Sequence, residues 1–234
     1  MSRSVVGRHS VFEALKVRPD SVSKVYVSQN LETKKWSNEL KALCKRNQIT
    51  PLVKKESFFN NLCQNHQGVS CEVNEDPTWP DTKNDKVFLL ALDGVEDPHN
   101  LGAIIRTSWL MGVQGILLPT KGSASITPTV SKVASGGLEH VAIQRVKNLK
   151  QEIEDLKGDG FWSYALSVDE SAEPLNTVKK SEKTILIAGA EEKGIKPTLI
   201  KSSDFKVFIP QLEADASYNV SVSVALGLWV LRPL

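Results

Sequence analysis

The sequence predicts an α/β protein in two parts, a larger unit built on a mainly parallel sheet covered by helices and a smaller α/β unit in front of it. Three observations carry that prediction. From Val87 onward, short apolar runs alternate with helical patterns, as strands joined by crossover helices do. Residues 1–73 alternate in the same way on a smaller scale. Between them, NEDPTWPDTKNDK (74–86) is polar, holds two prolines and has no hydrophobic period, so it reads as a linker. The expected boundaries are therefore 1–73, 74–86 and 87–234.

In the front unit, Val5, Val6, Phe12 and Leu15 give residues 4–18 a helical spacing, and SKVYVS (23–28) alternates like a strand. Residues 33–46 form an amphipathic helix with Trp36, Leu40 and Leu43 on one face. A short strand at 49–55, a short helix in SFFNNLCQ and a strand at 68–73 complete it. In the rear unit strands are expected at 87–92, 115–118, 139–144, 161–167, 184–188 and 205–209, with helices between most of them. SYNVSVSVALGLWVL (217–231) is in conflict with itself. Val220, Val222, Val224 and Leu226 recur at period two, as in a strand, whereas Ser217 and Asn219 are good helix-start residues and Ala225, Leu226 and Leu228 suit a helix.

Bulk properties narrow the function classes. At 234 residues with 41% hydrophobic and 24% charged side chains, the chain is ordinary for a self-sufficient globular protein. No apolar run approaches the ~18 residues of a membrane span. The start, MSRSVVGRHSVFEALK, lacks the apolar core of a signal peptide, so a cytoplasmic protein is expected. Cys44, Cys63 and Cys71 are odd in number and have no CxxC spacing, which suggests reduced structural thiols rather than disulfides or a zinc site. The net charge of +2 conceals an asymmetry: residues 1–73 carry 12 Lys+Arg against 6 Asp+Glu, leaving 17 against 21 for the rest. A basic unit attached to a mildly acidic one suits contact with a polyanion, although a lysine-rich helix is also simply a solvated face.

The usual chemical signatures are missing. No G-x-G-x-x-G follows a predicted strand, and there is no P-loop, H-E-x-x-H, G-x-S-x-G or cluster of histidines with carboxylates. His66 and His140 adjoin predicted strands and read as satisfied structural residues. What remains is three loops, each after a predicted strand of the rear unit: DPHNLGAIIRT (97–107), GAEEKGIKP (189–197) and IPQLEADASYN (209–219). In an open parallel sheet the carboxyl ends of the strands share one edge, where ligands bind, so loops distant in sequence converge there. Turn residues alone would explain one such cluster. Three of them, carrying Asn100, Arg106, Glu191, Ser217 and Asn219, call for chemistry.

These loops resemble the three ordered motifs of the SpoU (TrmH) family of RNA ribose 2′-O-methyltransferases, and the likeness covers essentially all of 87–234. VVGRHSVFEAL and NHQGVSCEV, in front, resemble the small ribosomal-protein-like substrate-binding domain found in one branch of that family, a branch that methylates a guanosine of large-subunit rRNA. The resemblance implies a C-terminal α/β trefoil-knot (SPOUT) methyltransferase domain with a small N-terminal α/β substrate-binding domain. It also implies a helix at 217–231 and a homodimer with the cofactor in the knot. The sequence departs from the family motifs at Glu192, Gln211, Glu213 and Tyr218.

The implied donor is S-adenosylmethionine, without a metal. Its transfer to a ribose needs alignment of the hydroxyl with the sulfonium and help in removing a proton. By the resemblance the catalytic set is Asn100, Arg106, Glu191, Ser217 and Asn219, and Gly189, Ile209 and Tyr218 contact the cofactor. Asn100 fixes the loop or the ribose. Glu191 orients Arg106 or positions the guanosine, and Ser217 and Asn219 lie near the methyl donor. A proton-accepting role has been proposed for the matching arginine, but a guanidinium offers no acceptor, so holding the target's phosphate and stabilising the developing alkoxide suits Arg106 better. The 2′-OH makes RNA the substrate and excludes DNA. The expected activity is methylation of a guanosine in 23S (large-subunit) rRNA, free or in a pre-ribosomal particle, during ribosome maturation. Another rRNA site or tRNA is a near variant, and a non-catalytic RNA-binding assembly factor is the competing class.

Overall fold

The computed structural model of the protein describes residues 2–31, 34–169, 171–190, 193–213 and 216–233. The front part runs β1 (Arg3–Val6), α1 (Arg8–Val17), β2 (Val22–Ser28), α2 (Ser37–Arg46), β3 (Leu52–Lys54), α3 (Glu56–Asn60) and β4 (Val69–Val73). Its sheet has the order β1-β4-β2-β3, antiparallel except for the β2–β3 pair. Val5, Leu15, Val25, Leu40 and Val69 meet in its core, with Trp36 and Leu43 packed against them.

The helical spacing expected at 4–18 holds only from Arg8. Residues 3–6 are a strand, because Val5 and Val6 are fully buried when β1 pairs with β4, Val5 opposite Cys71. Gly7, at φ 94°, makes the turn from strand to helix.

The rear part runs β5 (Val87–Asp93), α4 (Pro98–Leu110), β6 (Gly115–Pro119), α5 (Pro128–Ala134), β7 (Ala142–Val146), α6 (Leu149–Gly158), β8 (Trp162–Leu166) and β9 (Glu173–Pro174). It continues with β10 (Lys183–Gly189), α7 (Pro197–Ser202), β11 (Phe205–Phe208) and α8 (Val220–Leu231). The seven strands lie in the order β7-β6-β5-β10-β8-β11-β9, and every neighbouring pair is parallel. All of β5 is buried, which is why it reads as an unbroken apolar run. Alternate residues serve the two faces. Leu90 and Leu92 pack with α4 and α8, and Leu89 and Ala91 pack with α6 and α7. β10 enters between β5 and β8, strands laid down earlier in the chain.

Two expectations shift. The strand expected at 139–144 is β7 at 142–146, because residues 137–139 form a 3₁₀ turn after a left-handed Ser135. The period-two segment near the C-terminus is the helix α8. Val220, Val224, Leu228 and Leu231 form its buried stripe, while Val222, Leu226 and Trp229 are exposed, so valines occupy both faces and mimic alternation.

The two parts meet closely. Arg3 forms a two-pronged pair with Glu139, at 2.9 and 3.1 Å, and Glu139 is only 2% exposed. Burial would lower the Arg3 pKa, but Glu139 and Asp76 outweigh it and hold it above its ordinary value. Glu13 bonds His140 at 3.0 Å, and the His140 ring stacks on Trp109. Ser10 Oγ donates to the Ser131 carbonyl, and Val6 N donates to Ser131 Oγ. His66 accepts from Gly68 N at Nδ1 and meets Asn60 at Nε2, so both histidines are engaged in structure, as the sequence suggested. All three cysteines are free thiols. Burial raises each, Cys44 to about 11, which keeps them protonated and unreactive.

Candidate active site

The three loops do converge on one edge of the rear sheet, at the carboxyl ends of β5, β10 and β11. After β5, Asp97 caps α4: its carboxylate accepts from His99 N at 3.0 Å and Asn100 N at 3.4 Å, and Pro98 occupies the first helical position. After β11 the chain crosses to α8, which Asn219 caps by accepting from Ser221 N and Ser221 Oγ. These two helix starts lie side by side, and the Asn219 amide donates to Asn100 Oδ1 at 3.1 Å.

Two cavities open beside this pair. The first, about 360 Å³, is walled by the ends of β8, β10 and β11, with Ala188, Gly189, Val207 and Ile209 inside and Ser217 and Tyr218 at its rim. The second, about 570 Å³, lies over the end of β5 and is lined by Asp97, Asn100, Lys121, Lys193 and Lys196. Ala190, Lys193, Gly194 and Val220 belong to both, so the cavities share a wall.

That wall is the loop after β10. Ala190 N donates to the Asp93 carbonyl and Gly194 N to the Ala190 carbonyl, folding the loop back on itself. A Cβ at Gly189 would lie 2.1 Å from the Gly194 carbonyl carbon, so only glycine fits. Asp93, 3% exposed, anchors the far side by accepting from Lys196 N and Nζ at 2.9 and 2.8 Å. The sequence reasoning did not select Asp93; the signal was an acid ending an otherwise apolar strand.

Gly189, Ile209, Ser217 and Tyr218 thus line the first cavity, Asn100 lines the second, and Asn219 joins the two groups. Arg106 does not join them. It lies six residues beyond Asn100 on α4, about 120° around the helix at 3.6 residues per turn. It is exposed and lines neither cavity. Glu191 and Glu192 lie outside the described residues. Two of the other departures, Gln211 and Glu213, have a visible accommodation. Gln211 donates to the carbonyls of Glu213 and Ala216, closing the loop, and Glu213 is not among the positive-φ residues.

The family model for the SpoU rRNA methylase family matches residues 87–229, and the model for RNA 2′-O ribose methyltransferase substrate binding matches residues 4–79. The chain belongs to the SpoU methylase family. A Staphylococcus haemolyticus protein assigned to the TrmH family of tRNA/rRNA methyltransferases is 30% identical over 233 residues, 96% of this chain and 93% of the relative. Among solved structures, AviRb of Streptomyces viridochromogenes, a SpoU methyltransferase in complex with AdoMet, superposes with a TM-score of 0.81 at 17% identity. The match covers 97% of this chain and 88% of AviRb. An AdoMet-bound rRNA methyltransferase of Sinorhizobium meliloti superposes with a TM-score of 0.78 at 21% identity, covering 97% and 85%. This is the fold the sequence led us to expect, a SPOUT domain preceded by a small α/β domain. Among the described residues no helix is long and apolar enough to cross a membrane.

Proposed function

We propose that this SpoU-family protein methylates a ribose 2′-OH of RNA with S-adenosylmethionine, and that its target is a guanosine of large-subunit rRNA. The observation that carries the reading is the Asn100–Asn219 bond, which ties Asn100 in the lining of the second cavity to the residue between Tyr218 of the first and Val220 of their shared wall. It places fixed amides between a mostly apolar slot and a cation-lined one, which suits a nucleoside-like donor on one side and a nucleotide acceptor on the other.

The first cavity fits the donor. Gly189 brings bare backbone to its wall, Ile209 and Val207 supply apolar contact for an adenosine, and Ser217 and Tyr218 supply polar groups at the rim. When bound, S-adenosylmethionine supplies a methyl group on a cationic sulfur. The protein's part is alignment, worth roughly 7–11 kcal/mol in favourable cases. Asn100, held by the Asp97 cap and the Asn219 amide, orients the ribose in the second cavity. Ser217 lies near the donor, and Glu191 positions the guanosine or Arg106. Arg106, exposed, holds a phosphate of the target strand.

Large-subunit rRNA is favoured over tRNA by the basic front part, domain 1–73 in our reading, with 74–86 as its linker to the methyltransferase domain 87–234. A homodimer is part of the proposal. α8 is apolar all round, exposing Val222, Leu226 and Trp229 (44%, 37% and 56%), and Leu110 on the adjoining α4 is 65% exposed. A second copy of the chain covers that stripe. Sedimentation should give twice the chain mass, and Leu226→Glu should halve it.

The deciding experiment incubates the protein with radiolabelled S-adenosylmethionine and unmodified large-subunit rRNA, with tRNA in parallel. Ribose label on rRNA that Asn100→Ala abolishes is the expected result. Label on tRNA alone would keep the chemistry and replace the substrate. No label on either RNA or on pre-ribosomal particles, with no cofactor binding, would leave a non-catalytic RNA-binding protein.

A further inference from the structure

A third cavity, about 610 Å³, continues the trough past the ends of β6 and β7, sharing Asp93, Lys121 and Lys196 with the second. Four lysines line it: Lys121, Lys147, Lys150 and Lys196. Its one carboxylate, Asp93, is already engaged by Lys196. Lys121, Lys147 and Lys150 are exposed and have no carboxylate partner among the described residues.

Composition does not explain this cluster, because residues 74–234 hold more acids than bases. Three other lysines of the rear part are used differently. Lys157 bonds the Ser202 carbonyl and Asp204, Lys183 bonds the Thr82 and Asp159 carbonyls, and Lys206 bonds Asp169 and Ser171. The edge that carries the three unengaged lysines is also braced. Arg145 donates to the Pro119 and Ala124 carbonyls on either side of Lys121, and Thr120 N donates to the Val146 carbonyl beside Lys147. Lys150 stands in the first turn of the ten-residue helix α6, whose positive end adds to the same field.

We propose that this cavity is a phosphate-binding subsite for the RNA strand flanking the target nucleotide. With the donor in the first cavity and the target ribose in the second, the strand leaves the second cavity across Lys121 and onto Lys147 and Lys150. The subsite rests on the RNA-methyltransferase reading and adds a residue-level RNA path to it. Because lysines meet phosphates as point charges, the contact fixes position without reading sequence.

The test uses the full chain, an unmodified large-subunit rRNA transcript with a tRNA transcript in parallel, and the variants Lys147→Ala, Lys150→Ala and both together. Lys180→Ala, an exposed lysine before β10 with no ion pair among the described residues, controls for lost charge. Each removal in the subsite should reduce the slope of log affinity against log salt by about 0.7–0.9. The double variant should raise the KM for RNA at least tenfold while kcat and S-adenosylmethionine affinity stay at wild-type values. Slopes and KM equal to those of Lys180→Ala, with methylation intact, would overturn the subsite alone. A wild-type chain that binds the donor but methylates no RNA would overturn the underlying reading and the subsite with it.

Discussion

The Asn219 amide donates to Asn100 Oδ1 across 3.1 Å, joining two residues 119 positions apart, one in the first turn of α4 and the other the cap of α8. Each asparagine also has a local duty: Asn100 N is held by the Asp97 cap, and Asn219 caps α8 through its own Oδ1. One bond therefore sets the spacing of two helix starts and of the two cavities they border.

The two duties of Asn219 can be separated. Asn219→Ala removes the cap and should cost about 1 kcal/mol of stability, as well as lowering methyl transfer. Asn219→Asp keeps an acceptor for Ser221 but has no amide proton to give Asn100. It should melt close to wild type while kcat falls at least tenfold, roughly 1.4 kcal/mol in the transition state. Equal kcat for the aspartate variant and wild type, in a stopped assay, would show the bond to be dispensable.

Gly189 should tolerate no side chain. A Cβ there meets the Gly194 backbone at 2.1 and 2.3 Å and Ile195 N at 2.3 Å, and backbone cannot move aside as a flexible side chain does. Gly189→Ala should displace the 190–197 loop, with an overpacking cost of about 1–3 kcal/mol. Calorimetric titration should find donor affinity lost in a protein that still folds. Retained affinity would mean that the loop does not form the donor cavity.

The seam between the two parts is held by Arg3 and Glu139, 10% and 1% exposed at their side chains. Removing one partner strands the other, so Arg3→Ala should cost about 3–5 kcal/mol. Replacing both, as Arg3→Met with Glu139→Leu, should recover most of that loss, because the pair's desolvation cost disappears with its attraction. Arg3→Lys should fall between, since an ammonium cannot make the two-pronged contact. Denaturant unfolding of the three variants checks the order.

Much of this was legible in the chain, for reasons that differ by element. β5 is buried on both faces, so its apolar run stands out, and the Asp97-Pro98 start of α4 is a local capping signal. α8 misled the period count because it keeps apolar residues on both faces, one for the core and one exposed. Residues 3–6 misled it because four residues are too few to separate a helical from a strand period. Asn100 and Asn219 could be singled out as polar residues in loops, but their bond depends on a sheet order in which β10 enters between β5 and β8, which no local spacing encodes. Arg106 is the converse case: one short motif carries both it and Asn100, yet six residues of helix turn it to a different side, away from both cavities.

Acid should reveal the anchor of β11. The Asp204 carboxylate accepts from Ser163 N at 2.8 Å and Ser163 Oγ at 2.7 Å, and Lys157 lies 3.0 Å away. Burial would raise its pKa, but these bonds and the ammonium outweigh it and hold the group below its ordinary 3.8. A folded pKa below the unfolded one means that the native state binds this proton more weakly. Its contribution to stability is therefore fully present above about pH 4 and is lost as pH falls through the folded pKa. Asp204→Asn should lower Tm at pH 7, and the gap to wild type should narrow as pH falls below about 4. A gap that stays constant down to pH 2 would mean that the carboxylate's charge contributes nothing and that the variant loses only hydrogen-bond geometry.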